Sequence, residues 1–308
     1  MTEGYKIWGE AAYLDMCRRI LDDGVYRRPE GEEGRYELFA QPLKFDLRDG
    51  RLPLLTTKRM QWKSLAVEML WFISGSSKVD FLHENNVHIW DIWANEANDV
   101  GPLYGYMWRH WWVDPNLAES LHKGREEIDQ LAQVMTTLRD RPEARSHVIT
   151  AWRPDWLKAM SIKPCHVYLQ FYRVGDEVSL LLTQRSCDTF LGVPFNIAQY
   201  SLLTHIVAHQ LGCTAGTFTW VGADTHIYEN HVDQVREQLT REVGPSPRLH
   251  IARKPESIDG YRFEDFEVQG YEHAKGLKGD ISAQGQPKAG TDIDRLRCVA
   301  SVRAPRKD

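Results

Sequence analysis

Alternation marks the middle of the chain. From Cys165, which follows Pro164, apolar side chains fall at every second position (Val167, Leu169, Phe171), as in a half-buried strand. Gly175-Asp176 predicts a turn, and 178–183 a returning strand closed by Gln184-Arg185-Ser186, with Asp188 just beyond. Asn196 follows Pro194-Phe195 and opens an apolar helix running through Leu203, Val207 and Leu211. Helical spacing recurs over 5–23 (Ala11, Leu14, Cys17, Ile20, Leu21), where Gly24 stops it. It recurs over 62–73, strongly apolar with Glu68 inside it, and over 126–138 with Leu131, Val134 and Leu138 on one face. Residues 38–47 alternate as a strand, 141–152 end in one, and 217–235 read as strand, turn and helix. The stretch 83–112 is rich in aromatics without a steady period, and Gly101-Pro102 breaks it.

Composition narrows the setting. At 308 residues the chain could form one large domain or two ordinary ones, and 42% apolar content is ample for a core. A net charge of −5 supplies no basic field, so no nucleic-acid partner is expected. No apolar run reaches membrane-spanning length and no secretory signal opens the chain. Five cysteines without regular spacing predict free thiols in a reducing compartment, and no zinc-ligand pattern is visible. The expectation is a soluble cytoplasmic protein with no metal.

Cys165, Arg185, Ser186, Asp188 and Asn196 fall within one strand–hairpin–strand–helix unit, and together they suit one task. A pyrimidine is weakly nucleophilic at C5, and addition of a tuned thiolate to C6 makes C5 enolate-like. Arg185 could grip a phosphate through a bidentate contact. A carboxamide such as Asn196 matches the N3–H and O4 of uracil, where an aspartate would suit cytosine better. Taken singly, each residue has a blander reading: a core cysteine, a structural ion-pair arginine, a helix-capping asparagine.

The strings PCH at Cys165, QRSCD over 184–188, FLGVPFNIA over 190–198 and DTHIYENH over 224–231 give the chain a close resemblance to the thymidylate synthase family, over about 44–271. The resemblance implies an α/β (α+β) fold, a mixed sheet with helices packed on one face and a second subunit of a homodimer on the other. It implies a catalytic domain over 1–275, a pyrimidine nucleoside monophosphate substrate, and 5,10-methylenetetrahydrofolate as co-substrate. Cys165 would attack C6, Glu68 would organise proton transfers at the base, and Tyr104 would stand near the nucleophile. Asp188 would serve both catalysis and folate binding. Arg185, Ser186 and Asn196 would bind the nucleotide, with His226 and Tyr228 on the sugar 3′-hydroxyl. Ile89, Trp90, Trp93, Leu191 and Phe195 would line the folate pocket, with Lys58, an exposed cation beside Arg59, near the folate tail. A lone Glu68 could instead partner a buried arginine.

Three departures stand out. Aligned without gaps, the family's phosphate-loop arginine falls on Glu30, and a two-residue shift puts Arg28 there; Arg28 is taken as the ligand. Of two adjacent arginines that reach the partner's phosphate in the family, Arg145 is kept and Ser146 replaces the second. From 276 to 308 the sequence is rich in Gly, Ala and charge, and reads as a linker plus a weakly ordered extension instead of the family's closing residues. Together these lean the expected product towards a hydroxymethyl group, with reductive methylation of dUMP as the alternative. A cysteine hydrolase would need an oxyanion turn beside Cys165, which is not seen, and an inert nucleotide- or RNA-binding homologue need not keep Cys165, Glu68 and Asn196 together.

Overall fold

The computed structural model describes residues 7–113 and 127–282. Its centre is a six-stranded mixed sheet in the order β1-β2-β8-β7-β6-β5, formed by Val25–Arg27 (β1), Arg35–Asp46 (β2), Val148–Thr150 (β5), His166–Val174 (β6), Glu177–Asp188 (β7) and Thr214–Tyr228 (β8). Trp111–Trp112 (β3) pairs Glu127–Ile128 (β4), and Arg248–Ile251 (β9) pairs Phe266–Gln269 (β10), each as a separate ribbon. The α/β expectation holds.

All neighbours in the main sheet are antiparallel except β7 and β8. A parallel pair needs a crossover, and the helix Gly192–Leu211 supplies it. Register puts Leu43 beside Trp220 and Leu182 beside Leu169 on one face, with Phe45, Phe218, Leu180 and Phe171 in the same layer, all buried. The helix Gly9–Asp23 (α1) packs on β2 and β8, and Gly192–Leu211 packs on β7 and β8. The opposite face carries Leu181, Thr183, Thr219 and Val221, all half-exposed. Strand β6 adds Tyr172, which is exposed, and Phe39 of β2, paired with Asp224, is exposed as well.

Helix α1 begins at Gly9, later than its sequence spacing predicts. The Ile7 carbonyl accepts from Lys44 N–H, and Trp8 bridges Lys44, so these residues are spent extending the sheet. The buried stripe is rotated accordingly: Ala12, Tyr13 and Met16 join Leu14, Cys17 and Ile20, while Ala11 is exposed. Trp62–Ser74 (α2) buries every residue from Leu65 to Ile73, Glu68 among them, and ends at Gly75 with φ 72° in the left-handed region. Short helices Asp80–Glu84 (α3) and Gly105–Arg109 (α4) and the helix Gln130–Asp140 (α5) lie along the chain before β5. Among the described residues no helix is long and apolar enough to cross a membrane.

The crossover helix (α6) starts four residues before Asn196. The Asp188 carboxylate accepts the N–H groups of Phe190 and Leu191, fixing the entry, and Pro194 is tolerated in the first turn. Asn196 therefore sits in the second turn of the helix, buried. After Val232–Gln238 (α7) and the β9–β10 ribbon, the chain returns across the molecule. Residues 276–282 do not read as a free linker. Lys278 and Asp280 carbonyls accept from Gln234 and His231, and Ser282 donates to Asn230. The rest of the expected extension, 283–308, lies outside the described residues.

Candidate active site

The mouth of the β6–β7 pair positions the sulfur. Register slips between His166 and Tyr168, a bulge that re-aims side chains at the start of β6. The Cys165 carbonyl accepts Arg185 N–H at 2.9 Å, and Arg185 Nε and Nη2 donate to the Pro164 and Lys163 carbonyls, both at 2.8 Å. Arg185 thus pins the segment carrying the cysteine while making no hydrogen bond through Nη1 among the described residues. From the other side, Cys165 N–H donates to the Tyr104 hydroxyl at 3.0 Å. Tyr104 holds an unusual backbone conformation, φ 35° and ψ −102°, with its ring against Phe72 and His166. The next residue must be glycine, because a Cβ on Gly105 would lie 2.0 Å from the Phe72 carbonyl oxygen.

Burial pushes the Cys165 thiol up, and the Arg185 charge and the Tyr104 contact oppose that only in part.

Behind it lies Glu68. Its two oxygens accept Trp90 Nε1–H at 2.5 Å and Gln199 Nε2–H at 2.8 Å. Among the described residues no arginine partners it, which removes the buried ion-pair reading. Burial pushes its carboxyl up to about 7, against the two hydrogen bonds that favour the charged form. A carboxyl that titrates near neutrality can both accept and return a proton.

A relay of amides orients Asn196. Trp220 Nε1–H donates to Gln184 Oε1 at 2.9 Å, and Gln184 Nε2–H donates to Asn196 Oδ1 at 3.0 Å. The indole can only donate, so it fixes which way Gln184 points, and Gln184 in turn fixes Asn196. Among the described residues Asn196 has one further side-chain partner, a hydrogen bond with His166. His166 lies against the same group, and burial lowers it to about 4, so it is neutral at pH 7. It shares a 3.1 Å contact with the Tyr200 hydroxyl.

Strand period and register put Ser186 and Asp188 on the face of β7 that carries Gln184, alongside Asp224 and His226 of β8. Ser186 and Asp188 are half-exposed, as befits residues lining a cavity. His226 and Tyr228 share a face, their rings 4.9 Å apart and edge-on. His226 Nδ1 is 3.1 Å from Asp224 Oδ1, leaving Nε2 for another partner. Burial, with the nearby Asp188 charge, pushes the Tyr228 hydroxyl up to about 12.

The cations expected at the phosphate are arranged differently. Arg28 is exposed and its guanidinium is tied to Glu229, which also accepts from the Tyr26 hydroxyl at 3.0 Å. Arg27 pairs with Glu37 at 3.2 Å, and Arg35 with Glu32 and Glu37 at 2.7 and 2.6 Å. Glu30 is exposed. Arg145 and Ser146 are exposed on the loop before the edge strand β5, and Arg145 engages this chain through its carbonyl, which accepts from Gln170.

For a flat reduced folate the structure offers Ile89, Trp93, Leu191 and Phe195, all half-buried. Asp188 Oδ2 makes no hydrogen bond among the described residues and can accept from a ring N–H. Apolar side chains of this kind with one carboxylate acceptor are the residue types a pterin needs. Two expectations change. Trp90 is 6% exposed and stacked among Trp71, Trp93 and Tyr104, so it braces Glu68 more than it walls a pocket. Lys58 is not a solvated cation: it is buried, donates to the Phe190 carbonyl and lies over the Phe190 ring. Burial lowers it to about 8. It therefore supports the start of the crossover helix.

Sequence reasoning passed over His166, Gln184, Gln199 and Trp220. Gln199 had a signal, lying three residues after Asn196 on one helix face. The Trp220–Gln184 link had none, since it joins residues of two strands. Residues 11–283 match the family model described as thymidylate synthase. The chain therefore belongs to the thymidylate synthase family, whose chemistry is folate-dependent one-carbon transfer to C5 of a pyrimidine nucleotide.

Proposed function

We propose that Cys165 is the nucleophile of this transfer and that the product is a 5-hydroxymethyl pyrimidine nucleotide. The observation that carries the first part is the convergence of a pinned cysteine, an oriented Asn196 amide and a carboxyl of Glu68 titrating near neutrality. Sulfur adds to C6 of the base, its proton passing to solvent or a neighbouring base, and the negative charge developed across C5 and O4 meets the Asn196 amide hydrogens. Glu68, through ordered water, takes the C5 proton once that carbon is substituted. Methylenetetrahydrofolate supplies the one-carbon unit and is held by Ile89, Trp93, Leu191, Phe195 and Asp188. Arg185, Ser186, His226 and Tyr228 hold the nucleotide, with Arg28 reaching the phosphate once released from Glu229.

Tetrahydrofolate leaves to give an exocyclic methylene on C5; water adding there gives the hydroxymethyl product, hydride from the tetrahydrofolate gives methyl, and in either case the C6–S bond then breaks to free Cys165. Retention of the hydride donor needs a closed, dry site. Ser146, the acid-bound Arg28 and the altered sequence after Tyr271 support a site that admits water. One observation favours methylation instead: residues 278–282 are strapped to Asn230, His231 and Gln234, and Gly279 lies against the Phe190 and His231 rings. Incubation with 5-tritiated nucleotide and methylenetetrahydrofolate decides. Tritium release without dihydrofolate, and a product heavier by a CH2O unit, fits hydroxymethylation; stoichiometric dihydrofolate overturns it.

The half-exposed sheet face and the exposed Arg145 support a homodimer with Arg145 acting on the partner's phosphate. Mixed Arg145→Ala and Cys165→Ala chains then regain part of the activity that each lacks alone. No recovery after co-refolding counts against a shared site.

A further inference from the structure

We propose that His83, His88 and Asp91 form a binding site for a divalent cation of the zinc class. His83 lies on α3, and the chain reverses at Asn86, which takes a left-handed φ of 56°. The reversal brings His88 over His83, with rings 5.1 Å apart and 26° from parallel. Both rings aim a nitrogen at one carboxylate. His83 Nε2 is 2.7 Å from Asp91 Oδ1, and His88 Nδ1 is 3.0 Å from Oδ2. The three ligand atoms lie within 4.8 Å of one another.

Two imidazoles and a carboxylate are the donor set of zinc and its neighbours in the first transition row, whereas calcium and magnesium favour oxygen-only shells. Bond lengths of about 2.0–2.2 Å to such an ion require only small ring and carboxylate rotations from these separations. The side chains are 32%, 57% and 44% exposed, which leaves coordination positions for water. Without a cation, each ring nitrogen contacts its own oxygen of the one carboxylate. With a cation, both rings are neutral, each presenting a lone pair, and any proton they carried leaves to solvent. The spacing His-x4-His-x2-Asp is unlike the paired-cysteine patterns of structural zinc, which is why the sequence showed no metal signal.

The position gives the site a role. Trp90 lies between His88 and Asp91 in sequence, and its indole N–H holds Glu68. A cation that ties α3 to residues 88–91 holds that indole in place, outside the nucleotide cavity.

Equilibrium dialysis of the metal-stripped full-length chain against Zn2+, Co2+ and Mg2+ tests this, beside His88→Ala and Asp91→Asn. The expected result is one fewer bound Zn2+ equivalent in each variant, loss of a visible Co2+ band, and a zinc-dependent rise in melting temperature seen only in the unsubstituted protein. Circular dichroism of the variants checks that each is folded, and because His88 and Asp91 are exposed, neither should disturb the core. Unchanged zinc stoichiometry and affinity in both folded variants overturns the proposal. So does failure of the unsubstituted chain to bind zinc, or a site that Mg2+ fills equally well.

Discussion

The proposed base end and the proposed phosphate end of the site follow opposite designs. Around the base, every group is held by a neighbour that leaves it little freedom: Trp220 fixes Gln184, Gln184 fixes Asn196, Trp90 and Gln199 fix Glu68, and Arg185 and Tyr104 fix the Cys165 backbone. Those partners are mostly buried, where a missing hydrogen bond is costly and geometry is therefore enforced. At the proposed phosphate end, Arg28 is spent on Glu229, both of them exposed. Exposed pairs of this kind contribute about 0–1 kcal/mol and exchange readily. Reactive geometry is built into the fold, while charge at the phosphate is available only if a ligand outcompetes the chain's own acids.

The strongest challenge to this comparison is Glu68→Gln. If the carboxyl moves the C5 proton, tritium release falls roughly 10²–10⁴-fold while nucleotide binding changes little. The same variant reports on linkage. The Glu68 carboxyl rises from 4.5 to about 7 on burial, so the folded chain binds the proton more tightly than the unfolded one. Its contribution to stability is present at low pH and lost as pH rises through about 7, by up to roughly 3 kcal/mol in all. Denaturant titrations of both proteins from pH 4 to 8 should show the parent losing stability relative to Glu68→Gln across that window; parallel curves contradict the assignment.

Asn196→Asp comes next in size. The ionised side chain accepts but does not donate, so preference moves from uracil towards cytosine nucleotides by roughly 10–100-fold in kcat/KM. An unchanged preference removes Asn196 from base recognition.

The smallest effect is expected from Glu229→Gln. Freeing Arg28 from a carboxylate should lower KM for the nucleotide a few-fold, about 0.5–1 kcal/mol, without raising kcat. A KM that rises or stays constant means that Arg28 does not reach the phosphate.

How much of this was legible beforehand follows the same division. The β6–β7 hairpin and the crossover helix announce themselves by period, because each buries one face and the pattern must repeat. Cys165, Asn196 and Glu68 stand out as residue types that are costly or idle where the pattern puts them. The amide relay is invisible in one dimension, since it joins β8, β7 and α6 through contacts of long sequence separation. Lys58, read as a cation near the folate tail with plain solvation as the blander alternative, instead places its ammonium over the Phe190 ring and on the Phe190 carbonyl, a contact that no local pattern shows.

The central claim, a transient bond from Cys165 to a pyrimidine, is reached most directly by mass spectrometry. Incubation with a 5-fluoro uracil nucleotide and methylenetetrahydrofolate should leave one adduct per active chain, because fluorine at C5 cannot be removed as a cation and the reaction halts with sulfur attached. Peptide mapping should find it on Cys165, and Cys165→Ala should show none and lose turnover by about three orders of magnitude or more. No adduct on the active protein, or an adduct on Cys187 or Cys213 instead, would contradict the account.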